Sequence, residues 1–153
     1  MNSFLERLQD TSPFPHTHSL GLTFHEYIEE TGKITFRLPY SDTIVGNPDT
    51  GVIHGGAITT LLDTCCGAAV AIMVSDESVC PTLDLRIDHM TAAQPGSAIL
   101  GEAEVYRMTK SIAFIRGQAY EEGTGTVLAN AVATFMLMEQ QNKRFLRNLD
   151  ADR

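Results

Sequence analysis

Two features of this chain could do chemistry together: the carboxylate of Asp63 and the run His54-Gly55-Gly56 nine residues upstream of it. Thr59, Thr60, Asp63, Thr64 and Gly67 fall at three-to-four spacing, so they share one narrow helical strip. No Lys or Arg stands three or four residues from Asp63 on either side. An acid so placed either faces water or acts as a base or nucleophile. Gly55 and Gly56 open the same helix, where the first N–H groups have no intrahelical partner and the positive end of the helix dipole lies. Glycine lets another oxygen come close to the backbone, so a developing oxyanion could be held there. The plainer reading of the glycines is a tight loop-to-helix turn that His54 packs.

Several elements must position these groups. Residues 3–10, centred on Phe4 to Gln9, read as a short amphipathic helix, ended by the polar run Asp10 to Pro15. His16 and His18, two apart in a polar segment, read as exposed rather than as metal ligands. Leu20 to Ile28 and Lys33 to Leu38 read as strands joined by a Glu-Glu-Thr-Gly turn, followed by an irregular stretch from Pro39 to Gly51. The long helix is expected over Gly55 to Ser75. Its apolar residues Ile58, Leu61, Leu62, Cys65, Ala69, Ile72 and Met73 cover more than half the circumference, so it should be enclosed on most sides. Four strands are expected after it: Thr82 to Met90, Ala98 to Tyr106, Ile112 to Glu121 and Val127 to Met138, with a C-terminal tail over 139–153. In the first of these, Leu83, Leu85, Ile87 and His89 alternate with Asp84, Arg86 and Asp88, the period of a half-buried strand. The order gives an α+β fold in one domain, 1–153, whose sheet buries one helix.

The composition sets limits. The chain has 153 residues, 43% of them hydrophobic, enough for one ordinary core. Its formal net charge of −8 argues against a nucleic-acid partner, though a local basic pocket could still take a small anion. Cys65, Cys66 and Cys80 suggest neither a disulfide framework nor a zinc site, and no other metal is expected. The N-terminus lacks a signal-peptide pattern, and the longest apolar stretch, near Ala57 to Val74, carries Thr59, Thr60, Asp63 and Thr64. A cytoplasmic protein without a membrane partner is the expectation.

The string Asn47-Pro-Asp-Thr-Gly51-Val-Ile-His54-Gly-Gly-Ala-Ile-Thr-Thr-Leu-Leu-Asp63-Thr resembles the PaaI-like (phenylacetate-degradation type) thioesterases of the hotdog superfamily. Their signature is a loop Asn, a Gly, then His-Gly-Gly with an acid nine residues after the His. The likeness continues through Thr82 to Gly96 and the turn at Thr109-Lys110-Ser111, covering about residues 20 to 138. One departure is that Asn47 stands seven residues before His54, where the family often has six. The resemblance implies a hotdog fold: an antiparallel sheet of five to six strands wrapped around one long central helix. It also implies hydrolysis of acyl-CoA thioesters, with coenzyme A as part of the substrate and no other cofactor. Asp63, Gly55, His54 and Asn47 would be the catalytic residues. Gly56, Thr82, Arg107, Lys110 and Ser111 would bind substrate, the last three at the coenzyme A phosphates.

Thioester hydrolysis needs a nucleophile or a base for water, and donors for the carbonyl oxygen; the leaving thiol, with a pKa near ~8.5, needs little acid help. Gly55 and Asp63 are eight residues apart, a rise of about 12 Å at ~1.5 Å per residue. One reacting carbon must lie ~3 Å from both groups. If both serve one carbonyl, Gly55 of one subunit must therefore meet Asp63 of another, and the homodimer is required; a tetramer is common in the family. Two other readings compete: a hotdog acyl-thioester dehydratase or hydratase, which would want a nearby helical His, and a non-catalytic acyl-CoA-binding hotdog protein, which would not need Asp63.

Overall fold

The computed structural model describes residues 3–10, 14–74 and 80–138. The expected tail 139–153, Ser75 and the part of the polar run at 11–13 lie outside the described residues. Two short helices, α1 (Ser3–Asp10) and α2 (Pro15–Ser19), precede strands β1 (Thr23–Ile28) and β2 (Lys33–Leu38). A 3-10 turn over Asp42–Ile44 and a small hairpin of β3 (Val45–Asn47) and β4 (Val52–Ile53) lead into the long helix α3 (Gly55–Met73). Strands β5 (Thr82–His89), β6 (Ile99–Met108), β7 (Ile112–Glu121) and β8 (Val127–Met136) follow among the described residues.

The six long strands form one sheet in the order β1-β2-β6-β7-β8-β5, every neighbouring pair antiparallel. α3 lies along one face, mainly across β6, β7 and β2. This is the expected hotdog arrangement, with six strands. β1 and β5 are its two edges.

Helix α3 is enclosed as its wide apolar arc requires: Ala57, Ile58, Leu61, Leu62, Cys65, Cys66, Ala68, Ala69 and Val70 are buried. By length and mean hydropathy of 1.6 it could span a bilayer, yet those buried residues show that its apolarity serves the core. Leu61 and Leu62 are fully covered, each worth about 1.5–3 kcal/mol of burial. The close contact depends on Gly101 of β6, where a Cβ would come within 2.6 Å of Leu61 Cγ. Beside it the Cys65 thiol donates to the Gly101 carbonyl at 3.2 Å.

Some expected boundaries shift for local reasons. β1 starts at Thr23 rather than Leu20, because Leu20 caps α2 and Gly21 turns the chain with φ 70°. That second helix was not expected; Pro15 presets its first turn, and the Thr17 hydroxyl donates to the Phe14 carbonyl at 2.9 Å. The stretch expected to be irregular contains the β3–β4 hairpin. Its turn places Gly51 at φ 73°, where the Tyr40 hydroxyl donates to the Gly51 carbonyl at 2.8 Å. α3 ends at Met73, which is 55% exposed rather than packed in the core. β5 also departs from half-burial: Leu85 and Ile87 are partly covered, but Leu83 is 49% exposed.

Candidate active site

The entrance to α3 is fixed by His54, its N-cap residue, in extended conformation. His54 Nδ1 accepts from the Gly56 N–H at 2.9 Å, and the His54 carbonyl accepts from the Ala57 N–H at 3.0 Å. This hydrogen bond assigns the proton of the neutral imidazole to Nε2, which then points a donor away from the helix. The ring folds so closely over the first turn that a Cβ on Gly56 would lie 2.8 Å from His54 Nδ1. The Gly56 N–H is therefore consumed by the cap. The Gly55 N–H meets no acceptor among the described residues and sits at the positive end of α3. Of the two glycines, Gly55 is the one left able to hold a ligand oxygen.

His89, at the end of β5, lies beside Gly55: its Cε1 is 3.7 Å from where a Cβ of Gly55 would stand. Sequence reading placed His89 only in the strand alternation. No local signal marks it, because the contact arises from the packing of β5 beside the start of α3.

Asp63 is half-buried two turns further along α3. The Thr82 hydroxyl, at the start of β5, donates to Asp63 Oδ1 at 2.9 Å. The carboxylate opens into a cavity of about 550 Å³ between α3 and the N-terminal helices, which Thr60, Thr64, Thr82 and His16 also line. His16 Nε2 stands 3.5 Å from Thr60 Oγ1, so one of the two histidines read as exposed borders the Asp63 strip.

The remaining expected site residues are placed elsewhere. Asn47 builds the β3–β4 turn: its Oδ1 accepts from the Asp49 N–H at 3.0 Å and its carbonyl from the Gly51 N–H at 2.8 Å. Arg107, Lys110 and Ser111 cluster at the exposed β6–β7 turn, which Thr109 braces by exchanging hydrogen bonds with Ile112. They do not line the Asp63 cavity. Lys33, Arg37, Arg86 and Arg116 each pair with a carboxylate, whereas Arg107 and Lys110 have none among the described residues.

The cysteines are poor nucleophiles. Burial pushes Cys65 well up, and burial together with the charge of Asp63 raises Cys66 to about 12. Burial also raises Cys80, which lines the cavity as a free thiol. Of the thiols and the carboxylate at this cavity, the carboxylate is the better placed to attack or to take a proton.

Comparison with known proteins gives the family and the fold. The sequence pattern of the Thioesterase superfamily matches residues 50–128, which include the start of α3, Asp63 and Thr82. The medium/long-chain acyl-CoA thioesterase YigI of Escherichia coli is 26% identical over 136 residues, spanning 80% of this chain and 85% of that protein. A Pseudomonas aeruginosa protein of known crystal structure is 46% identical, with a TM-score of 0.76 over 88% of this chain and 99% of that one. A phenylacetic acid degradation-related protein of Ralstonia eutropha JMP134 is 26% identical, with a TM-score of 0.75 over 88% and 99% of the two chains.

Proposed function

Because the chain belongs to the thioesterase superfamily, we propose that it hydrolyses acyl-CoA thioesters to the free acid and coenzyme A, with Asp63 as nucleophile or general base. The observation that carries the reading is Asp63 itself: a carboxylate oriented by the Thr82 hydroxyl and opening into a largely apolar cavity. The activity of the Escherichia coli relative supports acyl-CoA as the substrate class.

The Gly55 N–H, with the α3 dipole behind it, receives the thioester carbonyl oxygen as it becomes negative. His54 keeps that N–H available by capping Gly56 instead. On one route the Asp63 carboxylate attacks the carbonyl carbon, the C–S bond breaks to release thiolate, and water cleaves the resulting acyl-Asp63 anhydride. On the other, Asp63 takes a proton from water as its oxygen adds to the carbon, and the tetrahedral adduct expels the thiolate. Single turnovers in oxygen-labelled water separate the two, since only the anhydride route can leave label in the protein's carboxylate.

The catalytic unit in this reading is a homodimer. Gly55 and Asp63 are separated by about 12 Å of helix rise at ~1.5 Å per residue, too far to act on one carbonyl within one chain. β5 offers the surface for assembly: it is a sheet edge, Leu83 and Met90 on or beside it are 49% and 54% exposed, and an open edge of this kind invites another strand. Two such dimers pair as a tetramer in this reading. Arg107 and Lys110, cations without carboxylate partners among the described residues, would hold the coenzyme A phosphates with Ser111. Asn47 would act by shaping the loop before His54. No cofactor, nucleic acid or membrane enters the scheme, and the free cysteines suit the reducing cytoplasm.

The test is Asp63→Asn. Its kcat/KM with an acyl-CoA should fall by about 10³-fold, within the range of a lost general base, while thermal stability and oligomeric size stay unchanged. Undiminished turnover would remove Asp63 from the mechanism.

A further inference from the structure

We propose that the cavity between α3 and the two N-terminal helices holds the acyl chain of the thioester, that its run along α3 suits about ten to twelve carbons, and that α1 and α2 form its side wall. The inference rests on the thioesterase reading above and extends it to substrate length.

The cavity has the polarity of such a ligand. Asp63, Thr60, Thr64 and Thr82 set polar atoms along one stretch of it; His16, Thr17 and Arg7 of the N-terminal helices line it too, Arg7 with its guanidinium over the Phe4 ring at 5.9 Å. Further along α3 the lining residues are Gly67, Ala68, Ala71 and Val74, at helical spacing on the same face. These residues are small and leave room beside α3; a Cβ on Gly67 would meet the Phe135 ring at 3.4 Å, an ordinary van der Waals contact. Leu8 and Phe4 of α1, and Phe14 before α2, line it from the N-terminal segment. A volume of about 550 Å³ falls within the ordinary size range of ligand pockets.

Its length follows from the helix. Asp63 and Val74 are eleven residues apart on α3 and its cap, about 16 Å at ~1.5 Å per residue. An extended chain advances ~3.3–3.6 Å per three bonds, so about fourteen bonds span that distance. Room for the carboxylate and the chain terminus reduces this to about ten to twelve carbons. A short or single-ring acyl group would leave most of the cavity unfilled.

The experiment measures kcat/KM over saturated acyl-CoAs from butyryl to hexadecanoyl, together with binding of S-butyl- and S-decyl-coenzyme A, thioethers that cannot be hydrolysed. For the native protein kcat/KM should rise about fourfold per methylene up to about ten to twelve carbons, then level or fall. Ala71→Phe, about 12 Å beyond Asp63 at ~1.5 Å per residue, should cut the decanoyl-to-butyryl ratio at least tenfold and weaken S-decyl-coenzyme A to match. Phe14→Ala acts from the opposite wall, at a side chain already 52% exposed, so it keeps the test alive if Ala71→Phe does not fold. It should lower the same ratio several-fold. A flat native profile, or folded variants that leave the ratio unchanged, would overturn the acyl-chain assignment while thioesterase activity stands. Tight, length-dependent binding of the thioethers without hydrolysis of any ester would sustain the cavity assignment and sink the enzymatic reading.

Discussion

At the scale of single residues, Thr82 and His54 do their work through other groups. The Thr82 hydroxyl donates to Asp63 and so fixes which way the carboxylate faces. Thr82→Val removes a hydrogen bond to a charged acceptor, a contact worth about 1.5–3 kcal/mol at most. If orientation is its role, kcat should fall by roughly tenfold with little change in KM, as steady-state kinetics would show. A fall in stability without a fall in kcat would assign Thr82 to folding alone. His54 occupies the Gly56 N–H and leaves Gly55 free, so His54→Ala should lose both the cap, costing about 1 kcal/mol, and part of kcat. His54→Asn, another good capping residue, should recover the thermal stability.

At the scale of elements, the packing of α3 on β6 and the anchoring of the loop before β6 are the sensitive joints. Gly101→Val places carbon where Leu61 already stands, and overpacking of this kind costs about 1–3 kcal/mol. A lowered melting temperature should be seen even without substrate. The loop at 94–97 hangs on Glu121, which is buried in the fold and accepts from the Gln94 N–H at 2.9 Å and the Thr124 hydroxyl at 2.9 Å. The Gln94 N–H, then the Ser97 and Thr124 hydroxyls, hold the Glu121 carboxyl below the ordinary carboxylate range. Glu122 is held low in the same way by the Arg37 guanidinium, which meets it with two hydrogen bonds at 2.8 and 2.7 Å. Both folded-state values lie below the unfolded one, near ~4.3. Their stabilisation is therefore complete above that pH and is lost as the pH falls through the lower, folded-state values. Denaturant titrations below the ordinary carboxylate range should show this loss, and Glu121→Gln should make the slope shallower.

At the scale of the whole molecule, the question is where one carbonyl can meet both an oxyanion donor and an acid. Gly55 and Asp63 lie on one straight helix, so the fold separates them as firmly as it positions them. Subunits carrying Gly55→Pro, which lack the N–H, mixed with subunits carrying Asp63→Ala should recover part of the activity on exchange. A mixed dimer then holds one site with both groups intact. Confirmed mixed dimers without recovered turnover would count against a shared site. Exposed Leu83 on the edge strand β5 offers a second handle: if β5 carries the proposed dimer contact, Leu83→Lys should reduce the oligomeric size on size-exclusion chromatography and lower specific activity at low protein concentration.

Much of this was legible in the sequence because it is written in local spacing. The wide apolar arc of α3 announced an enclosed helix, the His-Gly-Gly run its start, and the spacing around Asp63 a carboxylate on its polar strip. The order of strands around one helix announced the fold class. What only the tertiary structure decided are contacts between residues far apart in the chain. Thr82 reaches Asp63 across nineteen positions, His89 comes beside Gly55, and His16 comes beside Thr60. The resemblance put Gly55 rather than Gly56 among the catalytic residues, but a physical reason for the difference, the N–H that the His54 ring takes, lay only in the structure. The cavity beside Asp63 is the fullest case. Its small residues are readable on α3, but whether they face the core or an open groove depends on where α1 and α2 pack, and helical periodicity carries no information about that.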